Sequence, residues 1–308
     1  MRAIFTYILS IISIASIMAN NNTKNEDCDV CSTSSSSTSI NFDFNNQNYI
    51  GLYYLYQNYR TYNGIFNNSK KFNEHYRTLQ LTSNYMITSK WNISFSIPLH
   101  IHNRNLEDNS LKQNESGLGD LSFQSTYRIL QSDTMANTNW FLNVGGGIKS
   151  PTAKFKNRDG QGTNPNFNLG SGAWDYSLTS LFNLKFKNSG LNTQITYVFK
   201  TENENETYFQ FGNQTDISIL YYQTMNWFTN QPFNIFSGIK SEYYDNNKQF
   251  GYLIDDSKGY IHNLQIGGNI PLKQVQIGCM AYIPIHQNLM NNRINSQFKA
   301  LIYALWNL

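Results

Sequence analysis

An all-β fold, a transmembrane antiparallel outer-membrane β-barrel of about twelve strands, is what this 308-residue sequence predicts. Three observations carry that prediction. The run WNISFSIPLHIH sets Trp91, Ile93, Phe95, Ile97, Leu99 and Ile101 against Asn92, Ser94, Ser96, Pro98, His100 and His102. Period two belongs to a strand with one apolar face. The same two-sided pattern recurs along the chain, in segments long enough to cross a bilayer as tilted strands of roughly 9–11 residues. Finally, a mean hydropathy of -0.48 coexists with 15% aromatic residues. That pairing suits strands with one face in lipid, the other toward a wet lumen, and aromatics at both interfaces.

Charged residues make up only 14%, and the net charge of +3 from 23 basic and 20 acidic residues is too small to argue for nucleic acid. No basic helix or aromatic-basic platform accompanies it.

Residues 1–19 read as a secretory signal peptide: Arg2 is the positive end, Ile4 to Met18 the apolar core, and Ala19 precedes the cut. Ile17 stands where a small residue is expected, so the cut falls within a few residues of Ala19. An uncleaved anchor is the alternative, but the segment is short of the ~20 residues a membrane helix needs. Residues 20–47 form a polar, serine-rich periplasmic tail, expected to be disordered, that carries Cys28 and Cys31. This C-x-x-C fits a local disulfide, idle thiols, half a metal site or a link to another protein. Cys279 lies alone in a late strand, so a disulfide framework for the main domain is excluded.

Residues 48–308 are expected to form the barrel. The first strand, Tyr49 to Tyr62, is aromatic-rich and leaves its outward face open. The second, His75 to Ile87, has Leu79, Leu81, Tyr85 and Ile87 on one face; the third is the alternating run above. The fourth, Gly119 to Ile129, places Leu121, Phe123, Tyr127 and Ile129 opposite Asp120, Gln124 and Arg128. The fifth, Trp140 to Lys149, sets Trp140, Leu142, Val144 and Ile148 against Asn143 and Lys149. The sixth, Gly172 to Phe186, sets Trp174, Tyr176, Leu178 and Phe182 against Asp175, Asn183 and Lys185. The seventh turns Ile195, Tyr197 and Phe199 outward and Gln194 and Lys200 inward. The eighth, Phe209 to Tyr222, and ninth, Phe233 to Tyr244, carry Ile217, Ile219, Ile235 and Ile239 outward. The tenth, Tyr260 to Pro271, does the same with Leu264, Ile266 and Ile270. The eleventh, Val275 to His286, points Ile283 and Ile285 outward and His286 inward. The last, Gln297 to Leu308, aligns Phe298, Ile302, Trp306 and Leu308.

Long polar connections (Asn103 to Ser116, Ser150 to Asn168, Thr201 to Thr207, Asp245 to Lys258) alternate with others, several of them short, as at Thr88–Ser89, Asn188–Gly190 and Lys273–Gln274. Short periplasmic turns and longer outside loops are the expected asymmetry. Closure follows from hydrogen bonding: a sheet edge in hydrocarbon leaves a row of backbone groups with no partner. A soluble β-sandwich shares the alternation but needs two sheets to bury these faces against each other.

Three stretches carry a resemblance: GLGDLSFQSTYRIL (Gly117 to Leu130), VGGGIKSPTAKF (Val144 to Phe155) and LGSGAWDYSLTSLFNL (Leu169 to Leu184). In this order they resemble the transporter-like outer-membrane barrels of Bacteroidetes, distantly similar to barrels encoded with aromatic-degradation pathways. The resemblance implies an outer-membrane pore or carrier for small solutes, hydrophobic compounds or metal ions among them. It assigns no catalysis, and no cofactor is expected. The terminal Leu308 departs from the common final phenylalanine.

The expected lumen lining is Asp120, Gln124, Arg128, Asn143, Lys149, Asp175, Asn183, Lys185, Gln194 and Lys200, in a mainly amide and hydroxyl interior. These side chains either brace the barrel through hydrogen bonds or line a polar path. His100 and His102 share a strand face, and imidazole suits zinc, copper or nickel; with Cys28 and Cys31 they are the metal candidates, against a reading as rim hydrogen-bonders. His75 and His262 fall on the outward register. There is no G-x-S-x-G elbow and no H-E-x-x-H helix, so no enzyme is expected. The expected partners are outer-membrane lipid and a small solute. The alternative function is a non-transporting binding or scaffold barrel acting through its loops or the C-x-x-C tail.

Overall fold

The computed structural model describes residues 48–62, 70–132, 138–155, 167–203, 208–226 and 232–308. The expected signal peptide and the expected tail with Cys28 and Cys31 lie outside them. In chain order the strands are β1 (Tyr49–Tyr62), β2 (Lys71–Met86), β3 (Trp91–Leu106), β4 (Lys112–Leu118), β5 (Leu121–Gln131), β6 (Thr138–Ser150), β7 (Asp175–Phe186), β8 (Ser189–Lys200), β9 (Phe209–Gln210), β10 (Gln214–Asn226), β11 (Pro232–Tyr244), β12 (Lys248–Gln249), β13 (Tyr252–Leu253), β14 (Gly259–Pro271), β15 (Val275–Leu289) and β16 (Ile294–Asn307).

The large sheet closes on itself. β1 pairs with β2 on one side and with β16 on the other, from Tyr49↔Asn307 to Thr61↔Ile294. β4 pairs with the far half of β3 and β5 with its near half, so the two are one wall position interrupted at Gly119 and Asp120. Counting them once, the ring is an antiparallel barrel of twelve positions. Every one of the twelve wall positions has two neighbours, although the β4 stretch itself pairs only with β3; closure removes the unpaired edge that hydrocarbon forbids.

Alternation sorts the faces as the sequence requires. Leu81, Phe95, Ile101, Ile195, Ile219, Ile239 and Ile302 point outward and are exposed on the isolated chain. The open question in β1 resolves with Ile50, Leu52 and Tyr54 outward and Tyr49, Tyr53 and Leu55 inside. Outward aromatics gather toward both ends: Tyr85, Trp91, Phe186 and Trp306 at the end holding β1's start, and Trp174, Tyr176 and Tyr243 at the far end. Interfacial girdles are the expected place for rings with a polar edge.

Several expectations change. The Asn103 to Ser116 connection is mostly wall: β3 runs to Leu106 and β4 begins at Lys112. The sixth strand starts at Asp175 rather than Gly172. The eighth is broken after Gln210, and β9, β12 and β13 form a small separate sheet at the far end. His286 points outward. His262 pairs with His286 and Asn263 with Pro284, leaving Ile285 as an extra residue. This bulge inverts the alternation beyond it. Pro284 has no N–H to give the ladder, which makes this a natural place to break it. The β15–β16 ladder also lapses between Tyr282 and Leu289. There the Gln287 amide stands in: its Nε2 donates to the Ser296 carbonyl at 3.0 Å and its Oε1 accepts from the Ser296 N–H at 2.8 Å.

Candidate functional site

The interior is the candidate site, and its centre is a carboxylate at the wall interruption. Asp120 sits between β4 and β5 and is only 3% exposed. Its oxygens accept from the Ala153 N–H at 3.1 Å, the Ser171 N–H at 2.9 Å and the Ser171 hydroxyl at 3.3 Å. Lys149 reaches Asp120 at 3.5 Å and Asp175 at 2.5 Å. Lys149 and Asp175 are direct cross-strand partners in β6 and β7, which sets their reach. The glycines around the hub are steric: a Cβ on Gly170 would lie 2.3 Å from Asp120 Oδ1, and one on Gly119 would lie 2.3 Å from His100 Nε2. The stretches GLGD, GGGIKS and LGSGAWD therefore converge on one ion cluster.

That cluster holds residues 167–173 inside the barrel. Phe167, Leu169, Ser171 and Ala173 are all buried. The Phe167 ring lies 4.7 Å from the Arg104 guanidinium, which also sits 4.7 Å from Phe72. Tyr76 and His102 close on the same ring at 6.4 and 6.3 Å between centroids. Beneath it, Glu74 accepts from Thr61 at 3.0 Å and Tyr76 at 2.9 Å, and lies 3.8 Å from Arg104. Charges this deep are tolerated because each is paired.

A second charged group crosses the lumen. On β11, Lys240 and Glu242 are 2.8 Å apart, and Lys299 of β16 reaches the same carboxylate at 3.2 Å. β14 and β15 separate those strands in the wall, so the Lys299–Glu242 contact spans the interior. Asp216 stands directly opposite Glu242 across the β10–β11 ladder. Like charges at that spacing repel, and the two ammonium groups offset them. Gln214 ties Asp216 to Lys200 through bonds of 2.9 and 3.3 Å.

Nearer the chain ends, the lumen departs from the expected amide lining. Tyr49, Tyr53, Leu55, Leu220, Tyr222, Phe236, Met280, Leu301, Tyr303 and Leu305 form one buried apolar cluster. The opposite wall keeps the amide and hydroxyl character: Gln124 donates to Thr179 at 3.1 Å and Gln194 to Thr196 at 3.2 Å. Asn143 and Asn183 are buried on that wall. Arg128 donates to Asn143 at 3.3 Å and stacks 4.3 Å over Phe141. Lys185 is the exception: it has the inward register but lies exposed at the strand end, beside the turn. Glu74, Arg104, Asp216, Lys240, Glu242 and Lys299 were not foreseen. Lys240 and Glu242 alternate with the outward Ile235 and Ile239, a register that could have found them.

His100 and His102 are neighbours inside, with ring centroids 4.9 Å apart. His100 Nδ1 bonds the Thr78 hydroxyl at 2.8 Å, and His102 is packed under Tyr76 and Phe167. Among the described residues no group of three His, Cys, Asp or Glu side chains could hold a metal ion.

Fold and interior together define a class: a closed antiparallel barrel of the outer-membrane kind, with a wall of twelve positions and a side-chain-braced lumen. Compared with known protein families and with curated proteins, the sequence matches none. Solved structures do resemble it. A crystal structure described as an outer membrane channel from Pseudomonas putida superposes with a TM-score of 0.64 at 14% identity, over 85% of this chain and 96% of that one. The β domain of the Bordetella autotransporter BrkA gives a TM-score of 0.52 at 7% identity, over 85% of this chain and all (100%) of that one. At such identities the likeness is one of fold.

Proposed function

We propose that this chain is an outer-membrane channel for small solutes, closed in the conformation described by the inward segment Phe167–Ala173. The observation that carries this reading is the way the segment is held. Its anchors are non-covalent: Ser171 donates to Asp120, a carboxylate itself paired with Lys149, and the Phe167 ring lies against the Arg104 guanidinium. Polar anchors can exchange their partners for water when a segment leaves, which an apolar contact cannot do. The likeness in fold to an outer membrane channel supports the reading. Paired charges and amides favour polar solutes, while the apolar cluster on the other wall offers an apolar cargo a surface to slide along. We extend the reading to a bacterial outer-membrane location, a non-enzymatic role and a place among the Bacteroidetes transporter-like barrels; this last rests on the three glycine-containing stretches.

The test is conductance of the purified barrel in planar bilayers, wild type against Phe167→Ala. Rare openings in the wild type and frequent, solute-dependent openings in the variant are expected. The second reading, a binding or scaffold barrel, draws on the same filled lumen. A lumen that stays blocked in the variant, together with stable recovery of one partner, decides for it.

A further inference from the structure

The bulge at Ile285 places two histidines side by side on the outside of the barrel, at the far end. His262 of β14 and His286 of β15 are direct cross-strand partners. Their rings are parallel within 6° and their centroids lie 6.2 Å apart. Metal–imidazole bonds of about 2.0–2.1 Å put two rings that share one ion within about 6.5 Å of each other. The separation is within that reach, but the rings are stacked and each nitrogen binds in its ring plane, so the exposed His286 ring turns out of the stack to share an ion with His262. His262 Nδ1 is hydrogen-bonded to the Ser241 hydroxyl at 2.8 Å. This bond fixes the ring's orientation and leaves Nε2 as its ligand atom, the usual arrangement for a metal-bound histidine. Tyr243 and Tyr260 pack on His262 with centroids at 5.6 and 5.3 Å, and Tyr260 lies 5.4 Å from His286. The tyrosines wall the pair on one side, and His286 is exposed.

We propose that His262 and His286 form a two-imidazole site for a first-row divalent ion of the copper(II) or nickel(II) type, at the rim above the apolar belt. Nitrogen ligands select such ions over magnesium or calcium, and copper(II) should lead the order of affinity. Water or a neighbouring anionic group completes the coordination. The bulge supports the assignment physically. Unbroken alternation would have sent His286 to the face opposite His262; the extra residue costs ladder hydrogen bonds and puts both rings on one face. His100 and His102 make a poorer pair, because both are buried and Phe167 and Tyr76 cover His102. The proposal is independent of whether the lumen conducts.

The experiment uses the untagged full chain in detergent micelles, in a Cys28→Ser/Cys31→Ser background that removes the competing thiols. Copper(II) alone is the probe, read by titration and by electron paramagnetic resonance. One bound ion with coupling to two imidazole nitrogens is expected. His286→Gln should weaken binding at least tenfold and leave one coupled nitrogen. Ser241→Ala should weaken it by about tenfold, the lower end of outer-shell effects. Retained heat-modifiable migration on a gel shows that each variant still folds. A parent barrel without the two-nitrogen signal overturns the proposal, and needs no variant to do so. Persistence of that signal in His262→Gln/His286→Gln overturns it as well, as does its loss only on replacing His100 and His102.

Discussion

Replacing Asp120 by Asn is the most informative perturbation of the interior. The carboxylate accepts three bonds from Ala153 and Ser171 and lies 3.5 Å from the Lys149 ammonium. An amide of the same size keeps one acceptor oxygen and loses the charge. Charge-assisted bonds are roughly twice as strong as neutral ones, and a buried donor left without a partner costs about 1–3 kcal/mol. Lys149 keeps Asp175 at 2.5 Å, so the full penalty of a broken buried ion pair does not apply. The docked segment should lose about 3 kcal/mol, or about 150-fold in its docking equilibrium. The barrel wall should stay intact, since its ladder does not pass through Asp120. Amide hydrogen exchange measures this directly: the Ser171 and Ala153 N–H groups should exchange about 150-fold faster in the variant, while β7 and β8 keep their protection. Unchanged exchange at Ser171 would refute the claim that Asp120 anchors the segment.

Three further outcomes follow from the same geometry. Gly170→Ala drives a methyl into Asp120 and Ala153, where a Cβ would lie 2.3 and 2.6 Å from them; it should weaken docking by about 1–3 kcal/mol, seen as faster Ser171 exchange. Glu242→Gln leaves Lys240 and Lys299 without their shared carboxylate, which should cost about 3–5 kcal/mol in urea unfolding and shift any residual current toward anions in a reversal-potential measurement. Ile219→Arg puts a cation on the lipid-facing wall; it should lower stability in lipid vesicles by about 2–4 kcal/mol, whereas Ile219→Val should change little.

How much of this was legible beforehand differs element by element. The run from Trp91 to Ile101 reads as a wall strand because side chains alternate with period two whatever surrounds them, and β3 is that strand. Asp120, Lys149 and Asp175 could each be assigned to the inside by the same parity. Their meeting could not: it depends on the register of β6 against β7 and on residues 167–173 packing inward. Lys185 shows the limit in another direction, since parity gives the face of a strand and not its depth in the membrane. Unbroken alternation puts His286 inward; one inserted residue, invisible in the alternating pattern, inverts the face.

The amino-acid order by itself determined a closed antiparallel barrel, because alternating faces and the ban on unpaired backbone in hydrocarbon leave almost no other arrangement. Only the tertiary structure decided what fills it. The Lys299–Glu242 contact and the seat of Phe167 join residues far apart in the chain across the lumen, and the tyrosine-rich cluster around Tyr53 and Tyr303 gathers β1, β10, β11, β15 and β16 on one wall. Such contacts depend on circumference, register and loop direction, which are properties of the closed ring and of no single strand.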